Sequence, residues 1–139
     1  QGAYYGRQRQ ARGIARTSMS ADRLAFVQRN QTSDARAALA KISVPFLGVF
    51  GAADLNVDPV ADAAIFRELA EPLRPENKVW VVQGATHGLL RAPLFNYQLI
   101  SQWPSWPVLA YVIGGRYAFA PGVGDQTARW IWSVAPPSR

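Results

Sequence analysis

The sequence has 139 residues, of which 49% are hydrophobic and 17% are charged, and this predicts one ordinary domain with little room for a second. The sequence has 0 cysteines and 1 histidine, which excludes a disulfide framework, a cysteine-based zinc site and a histidine metal cluster. We therefore expect neither a metal nor a cofactor. The absence of cysteine is compatible with both the cytosol and export, so the cellular compartment is not predicted. The longest apolar run, residues 108–113, is far below the roughly 18 residues that a membrane span requires.

The net charge of +6 is concentrated near the N-terminus, where residues 1–40 hold seven arginines against two acids. Four of these arginines, Arg7, Arg9, Arg12 and Arg16, follow one another without an intervening acid. Such a cluster is compatible with nucleic-acid binding, but no helix-turn-helix, zinc-finger or ribonucleoprotein pattern accompanies it. A solvated, arginine-rich helix face is the commoner explanation, and we expect no nucleic-acid partner.

Two short helices are predicted before the first strand. Residues 20–30 place Leu24 and Val27 on one helical face. Residues 34–40 form the second helix with Leu39 turned inward, and it ends before proline because the residue preceding a proline avoids helical angles.

The next segments predict a strand, a helix and a second strand. Residues 44–50 are a continuous apolar run, typical of a strand that is buried on both faces. Asp58 caps a helix that extends to about Leu73, and residues 79–83 form another apolar strand. This order is one crossover unit with parallel strands, so the fold class is α/β. The predicted inward-facing residues of the helix are Ile65, Phe66, Leu69 and Leu73.

Two polar residues follow these strands directly. Asp54 lies in the turn after the first strand and His87 in the turn after the second. The carboxyl ends of neighbouring parallel strands share one edge of the sheet, which is where open α/β sheets bind ligands. A carboxylate that accepts a hydrogen bond from one imidazole nitrogen leaves the other nitrogen to take a proton from a nucleophile. We therefore expect the two side chains to lie within hydrogen-bonding reach or one water of it.

These motifs resemble the C-terminal part of an α/β-hydrolase. Gly51-x-x-Asp54-x-x-Val57-x-Pro59 is similar to the acid turn of that family, and Gly84-Ala85-Thr86-His87-Gly88 is similar to its histidine loop. The approach at residues 39–45 and the closing helix after residues 121–123 also match, so the resemblance covers roughly residues 33–134. It implies a partial α/β-hydrolase fold in which Asp54 is the catalytic acid and His87 the general base.

The sequence departs from the family pattern in two places. Asp58 separates Val57 from Pro59, so Asp58 is an alternative acid, although a helix cap suits it better. The larger departure is the nucleophile: the family carries it in a Gly-x-Ser-x-Gly elbow upstream of the acid, and this sequence contains no such elbow. We therefore expect half of an enzyme, and the sequence leaves open whether it is a fragment, a truncated gene or one subunit.

The expected organisation is a helical, cap-like segment at residues 1–40 and the C-terminal part of the hydrolase core at residues 41–139. One function class is a serine hydrolase acting on a small ester or amide, with the nucleophile supplied elsewhere. The other is a non-catalytic assembly or binding module in which Asp54 and His87 are relics. Because two parallel strands make too small a sheet to be stable alone, we expect pairing with a second copy or with the missing N-terminal half.

Overall fold

A computed structural model describes residues 20–30 and 35–135. The helices are α1 (Ala21–Asn30), α2 (Ala35–Leu39), α3 (Pro59–Ala70), α4 (Ala92–Phe95), α5 (Ser105–Gly114) and α6 (Val123–Val134); the strands are β1 (Leu47–Gly51) and β2 (Lys78–Val82); 3-10 turns occupy Glu71–Leu73, Ile100–Gln102 and Gly115–Ala118. The fold class is mixed α/β, as predicted. The arginine cluster at residues 7–16 lies outside the described residues.

The two strands form a parallel pair, which confirms the predicted arrangement. Leu47 lies opposite Lys78, and the register continues to Gly51 opposite Val82. β1 begins three residues later than predicted: Phe46 O still accepts a hydrogen bond from Lys78 N at 3.0 Å, but Phe46 N donates to the Asn77 side chain. No third strand is found within residues 20–30 and 35–135.

Helix α3 begins at its predicted cap and covers one face of the sheet. The Asp58 carboxylate accepts hydrogen bonds from Val60 N at 3.2 Å and Ala61 N at 3.1 Å, two N–H groups of the first turn that have no partner within the helix. The Phe66 ring lies 5.7 Å from the ring of Phe46 and 5.3 Å from that of Phe50. This aromatic group joins the helix to β1.

Burial differs from the sequence prediction at three places. β1 is only partly buried, because Gly48 and Gly51 are its only buried residues. Leu73 is 43% exposed, because the helix ends at Ala70 and Leu73 lies in the following 3-10 turn with Pro72, beyond the helical face to which it was assigned. Leu24 is 46% exposed on α1, and the side chain of Val27 lies outside the described residues. Leu39, by contrast, is buried as predicted.

Asn77 connects three segments at the N-terminal ends of the two strands. Its side chain is 1% exposed; the amide nitrogen donates to Ala70 O at 2.6 Å, and the amide oxygen accepts from Phe46 N at 2.9 Å. The end of α3, the approach to β1 and the start of β2 are therefore held by one side chain. The asparagine side chain combines an N–H donor with an oxygen acceptor, and no other residue type of this size does so.

The C-terminal helix α6 packs beside the beginning of β2. Trp130 is half-buried and donates from Nε1 to Glu76 O at 2.8 Å, whereas Trp132 is 80% exposed. Residues two apart on a helix point in different directions, so these two tryptophans cannot both face the core. Of the helices that the structure describes, none combines the length and the apolar character needed to traverse a bilayer.

Candidate active site

The turn after β1 holds the Asp54 carboxylate in a fixed orientation. Asp54 is 2% exposed, and its Oδ1 accepts hydrogen bonds from Asn56 N at 2.6 Å and Val57 N at 3.2 Å. The backbone N–H of Asp54 itself donates to Gly51 O at 3.0 Å, which closes the turn. A buried carboxylate needs such donors because burial without them is costly. With Oδ1 occupied by the backbone, Oδ2 is directed to another partner.

Gly51 allows the acid turn and the histidine loop to touch through their backbones. A Cβ atom at this position would lie 2.1 Å from Thr86 O and 2.5 Å from Ala85 O. Two hydrogen bonds join the same segments: Ala52 N donates to Val82 O and Ala53 N donates to Ala85 O, both at 2.9 Å. Only glycine fits this approach, which accounts for Gly51 in the acid-turn motif.

The segment that carries His87 folds back as a closed loop. Thr86 N donates to Leu90 O at 2.9 Å, and Leu90 N donates to Thr86 Oγ1 at 3.2 Å. Two antiparallel bridges, Ala85 with Arg91 and Leu90 with Phe119, fix the base of the loop. The loop is therefore anchored on both sides of His87, while the histidine itself remains at the surface.

Two residues of this loop have positive φ angles. Gly84 has a φ of 68°, which is typical of glycine, and Leu89 has a φ of 60°. The left-handed conformation costs a non-glycine residue about 1–2 kcal/mol. The Leu89 conformation is held by hydrogen bonds from Leu89 N to Thr86 O at 2.9 Å and from Ala120 N to Leu89 O at 2.8 Å. The sequence motif contains Gly84 but offers no signal for Leu89.

The predicted contact between the acid and the histidine is present. His87 Nδ1 lies 2.7 Å from Asp54 Oδ2, and the exposed fractions of the two side chains are 57% and 3%. The carboxylate is acceptor-only when ionised, so the neutral imidazole places its proton on Nδ1 in this pair. The lone pair of Nε2 is then available to accept a proton from a reacting group. Asp58 takes no part in this contact, since it caps α3.

The other components of a hydrolytic site are not found among the described residues. Within residues 20–30 and 35–135, no serine or threonine hydroxyl is hydrogen-bonded to His87. Neither of two shallow grooves among the described residues is lined by Asp54 or His87: one of about 340 Å³ lies between Trp80 and Trp130, and one of about 360 Å³ lies between Arg91 and Pro121 at the base of the histidine loop. In the same residues, no three His, Cys, Asp or Glu side chains are grouped so that they could bind a metal ion.

Sequence reasoning identified Asp54 and His87 but missed the residues that position them. Thr86 and Leu89 shape the histidine loop through backbone geometry; Asn77, which was also missed, joins the elements at the opposite ends of the strands. A hydroxyl next to the histidine was the only available signal for Thr86. Nothing in the pattern marks the others, because their roles depend on contacts with segments distant in sequence.

Comparison with known proteins yields no match for this chain. No protein-family model, no curated protein and no solved structure is significantly similar to it.

Proposed function

We propose that this chain supplies the acid and the histidine of a serine hydrolase of the α/β-hydrolase type. The observation that carries the proposal is the 2.7 Å contact between Asp54 and His87, located where two neighbouring parallel strands end. The chain order, with the acid before the histidine, is also the order of that family. The difference in exposure suits the proposed roles: the buried Asp54 orients the imidazole, and the exposed His87 is accessible to substrate.

In the proposed mechanism, Asp54 holds the Nδ1–H of His87 and stabilises the imidazolium that forms during the reaction. Nε2 removes the proton from a serine Oγ as that oxygen attacks the carbonyl carbon of a small ester or amide. The same nitrogen then donates the proton to the departing alcohol or amine, and an acyl-enzyme remains. A water molecule, activated in the same way by Nε2, releases the acid product.

The nucleophilic serine and the oxyanion hole are assigned to a segment outside this sequence. Supporting this, the sequence contains no Gly-x-Ser-x-Gly elbow, and no described hydroxyl is hydrogen-bonded to His87. Among the described residues, the outer edge of β1 has no strand partner and is where that segment could add, whereas on β2 Val79 N donates to Glu71 Oε1 and Val79 O accepts from Arg67 Nη2. A strand edge presents unpaired N–H and C=O groups that favour the addition of a further strand.

The second candidate is a non-catalytic assembly module of the same fold. The same open edge of β1 favours it, because a strand edge is suited to pairing with a second copy whether or not chemistry takes place. In this case Asp54 and His87 serve only to hold the acid turn against the histidine loop. The two candidates differ in whether the imidazole ever meets a nucleophile.

The first experiment measures hydrolysis of p-nitrophenyl acetate by the chain alone. We expect a rate no higher than that of an exposed histidine, because an acid and a base without a nucleophile lack the covalent route. The measurement is repeated with His87→Ala, and both proteins are treated with a fluorophosphonate probe. Saturable hydrolysis that His87→Ala abolishes, together with labelling of one serine of this chain, would contradict the assignment of the nucleophile to another segment.

The second experiment concerns the reading frame upstream of Gln1. An encoded Gly-x-Ser-x-Gly elbow is expected, and the longer product should hydrolyse the ester. In that product, Asp54→Asn should lower kcat by about 10⁴-fold, as is typical for loss of the triad acid. Asp58→Asn is the matched control and should retain activity, because asparagine is an equally good helix cap. A frame without the elbow would favour the assembly module.

A further inference from the structure

Helix α5 presents most of its large apolar residues to solvent, whereas Tyr111 packs against Phe95. Pro107 is buried and Ala110 is half-buried against the cluster formed by Leu90, Phe95 and Ala118. The solvent-facing residues are 45% to 76% exposed, and we refer to them as the α5 apolar face: Trp106, Val108, Leu109, Val112 and Ile113. A helix that packs against its own domain normally has the opposite arrangement.

The charge pattern around this face is also unusual. Residues 92–115 contain no charged residue, and Arg91 and Arg116 stand at the two ends of the segment. Both arginines lie beside the turn that follows α5: Arg91 Nε donates to Phe119 O at 3.3 Å, and the Arg116 guanidinium lies 4.9 Å from the ring centre of Tyr117. The face is therefore uncharged, and its border at the end of the helix is cationic.

We propose that the α5 apolar face inserts into the surface of an anionic membrane. A helix of ten residues is too short to span a bilayer, but it can lie in the interface with its apolar side chains among the acyl chains. Trp106 near its beginning and Tyr117 just beyond its end are residue types that favour the headgroup region. Arg116 would meet the lipid phosphates.

Charge complementarity favours a lipid surface over a second copy of the chain. The net charge of +6 attracts the chain to an anionic surface over long distances. A second copy would bring the same uncharged face and the same arginines. Because residues 92–115 contain no acidic residue, these arginines would have no oppositely charged partner in that segment of the second copy. This inference does not depend on the proposed hydrolase function, because Asp54 and His87 lie in the acid turn and the histidine loop and not in α5.

The test is co-sedimentation of the chain with large vesicles of phosphatidylcholine, with and without phosphatidylglycerol. We expect binding that is stronger to the anionic vesicles. Val112→Asp should weaken binding to them by at least about tenfold, because an acid must enter the acyl region and meets anionic lipid. Val60→Asp is the matched control, since Val60 and Val112 are both 71% exposed and Val60 lies in the first turn of α3, where an acid is well tolerated.

Arg116→Gln tests the cationic border. It should reduce binding to anionic vesicles by about fivefold and leave binding to phosphatidylcholine unchanged. Circular dichroism melts check that each variant is folded. The proposal is overturned if the unmodified chain does not sediment with anionic vesicles, or if Val112→Asp and Val60→Asp bind equally. It is also overturned if Val112→Asp converts a dimer to a monomer in light scattering while no form binds vesicles, because the face would then join two copies.

Discussion

Substitution of Gly51 by alanine is the sharpest test of how the acid turn and the histidine loop are joined. The new Cβ would lie 2.1 Å from Thr86 O and 2.5 Å from Ala85 O, whereas real Cβ atoms essentially never come within 3.0 Å of such atoms. Both neighbours are backbone oxygens, so no side-chain rotation relieves the overlap. The φ angle of Gly51 is not positive, and the cost therefore arises from the contact alone.

The structure allows the magnitude of this effect to be worked out. The two segments must separate by about 0.9 Å to bring the contact from 2.1 Å to 3.0 Å. Such a displacement disrupts the hydrogen bonds from Ala52 N to Val82 O and from Ala53 N to Ala85 O, each worth about 1 kcal/mol. Overpacking adds about 1–3 kcal/mol. Because some of these losses overlap, we expect the free energy of unfolding to fall by about 2–4 kcal/mol.

Urea denaturation followed by circular dichroism measures the change, with Gly124→Ala as the control. Gly124 lies in α6 with no atom within 4 Å of an added Cβ, so alanine there should stabilise the helix by about 0.5–1 kcal/mol. Since His87 is the only histidine, its NMR signals report directly on the site and should shift in Gly51→Ala but not in the control. Equal stability of Gly51→Ala and the unmodified chain, with unchanged histidine signals, would refute the close contact.

Three further outcomes are expected. Asn77→Ala should lower the free energy of unfolding by about 2–3 kcal/mol in urea denaturation, because Phe46 N and Ala70 O lose their partner; a loss below about 0.5 kcal/mol would contradict the connecting role of Asn77. Nitrogen-15 NMR should show neutral His87 protonated on Nδ1, and Asp54→Asn should reduce that tautomer; an Nδ1 without a proton would argue against the pair. Light scattering should give a mass above 15.3 kDa for the chain alone, whereas a stable, cooperatively melting monomer would show that the strand edges need no partner.

The elements predicted from sequence are those whose causes are local. A continuous apolar run bounded by glycine indicated β1, and the Asp58-Pro59 pair placed the beginning of α3 at the correct residue, because capping involves only the first turn. The proximity of Asp54 and His87 also followed, since two strands linked by one crossover end at the same edge of the sheet. The assignment to the α/β-hydrolases stays a proposal.

Other features depended on contacts that no local pattern contains. The close approach at Gly51 requires the histidine loop to lie beside it, and the connecting role of Asn77 requires the end of α3 and the approach to β1 to meet. Apolar composition also misjudged the burial of Leu73, and most large residues of α5 are likewise exposed, because a hydrophobic side chain is buried only where the fold supplies a surface to cover it. Local sequence thus determined where elements begin and which groups follow the strands, and the tertiary structure decided which surfaces were covered.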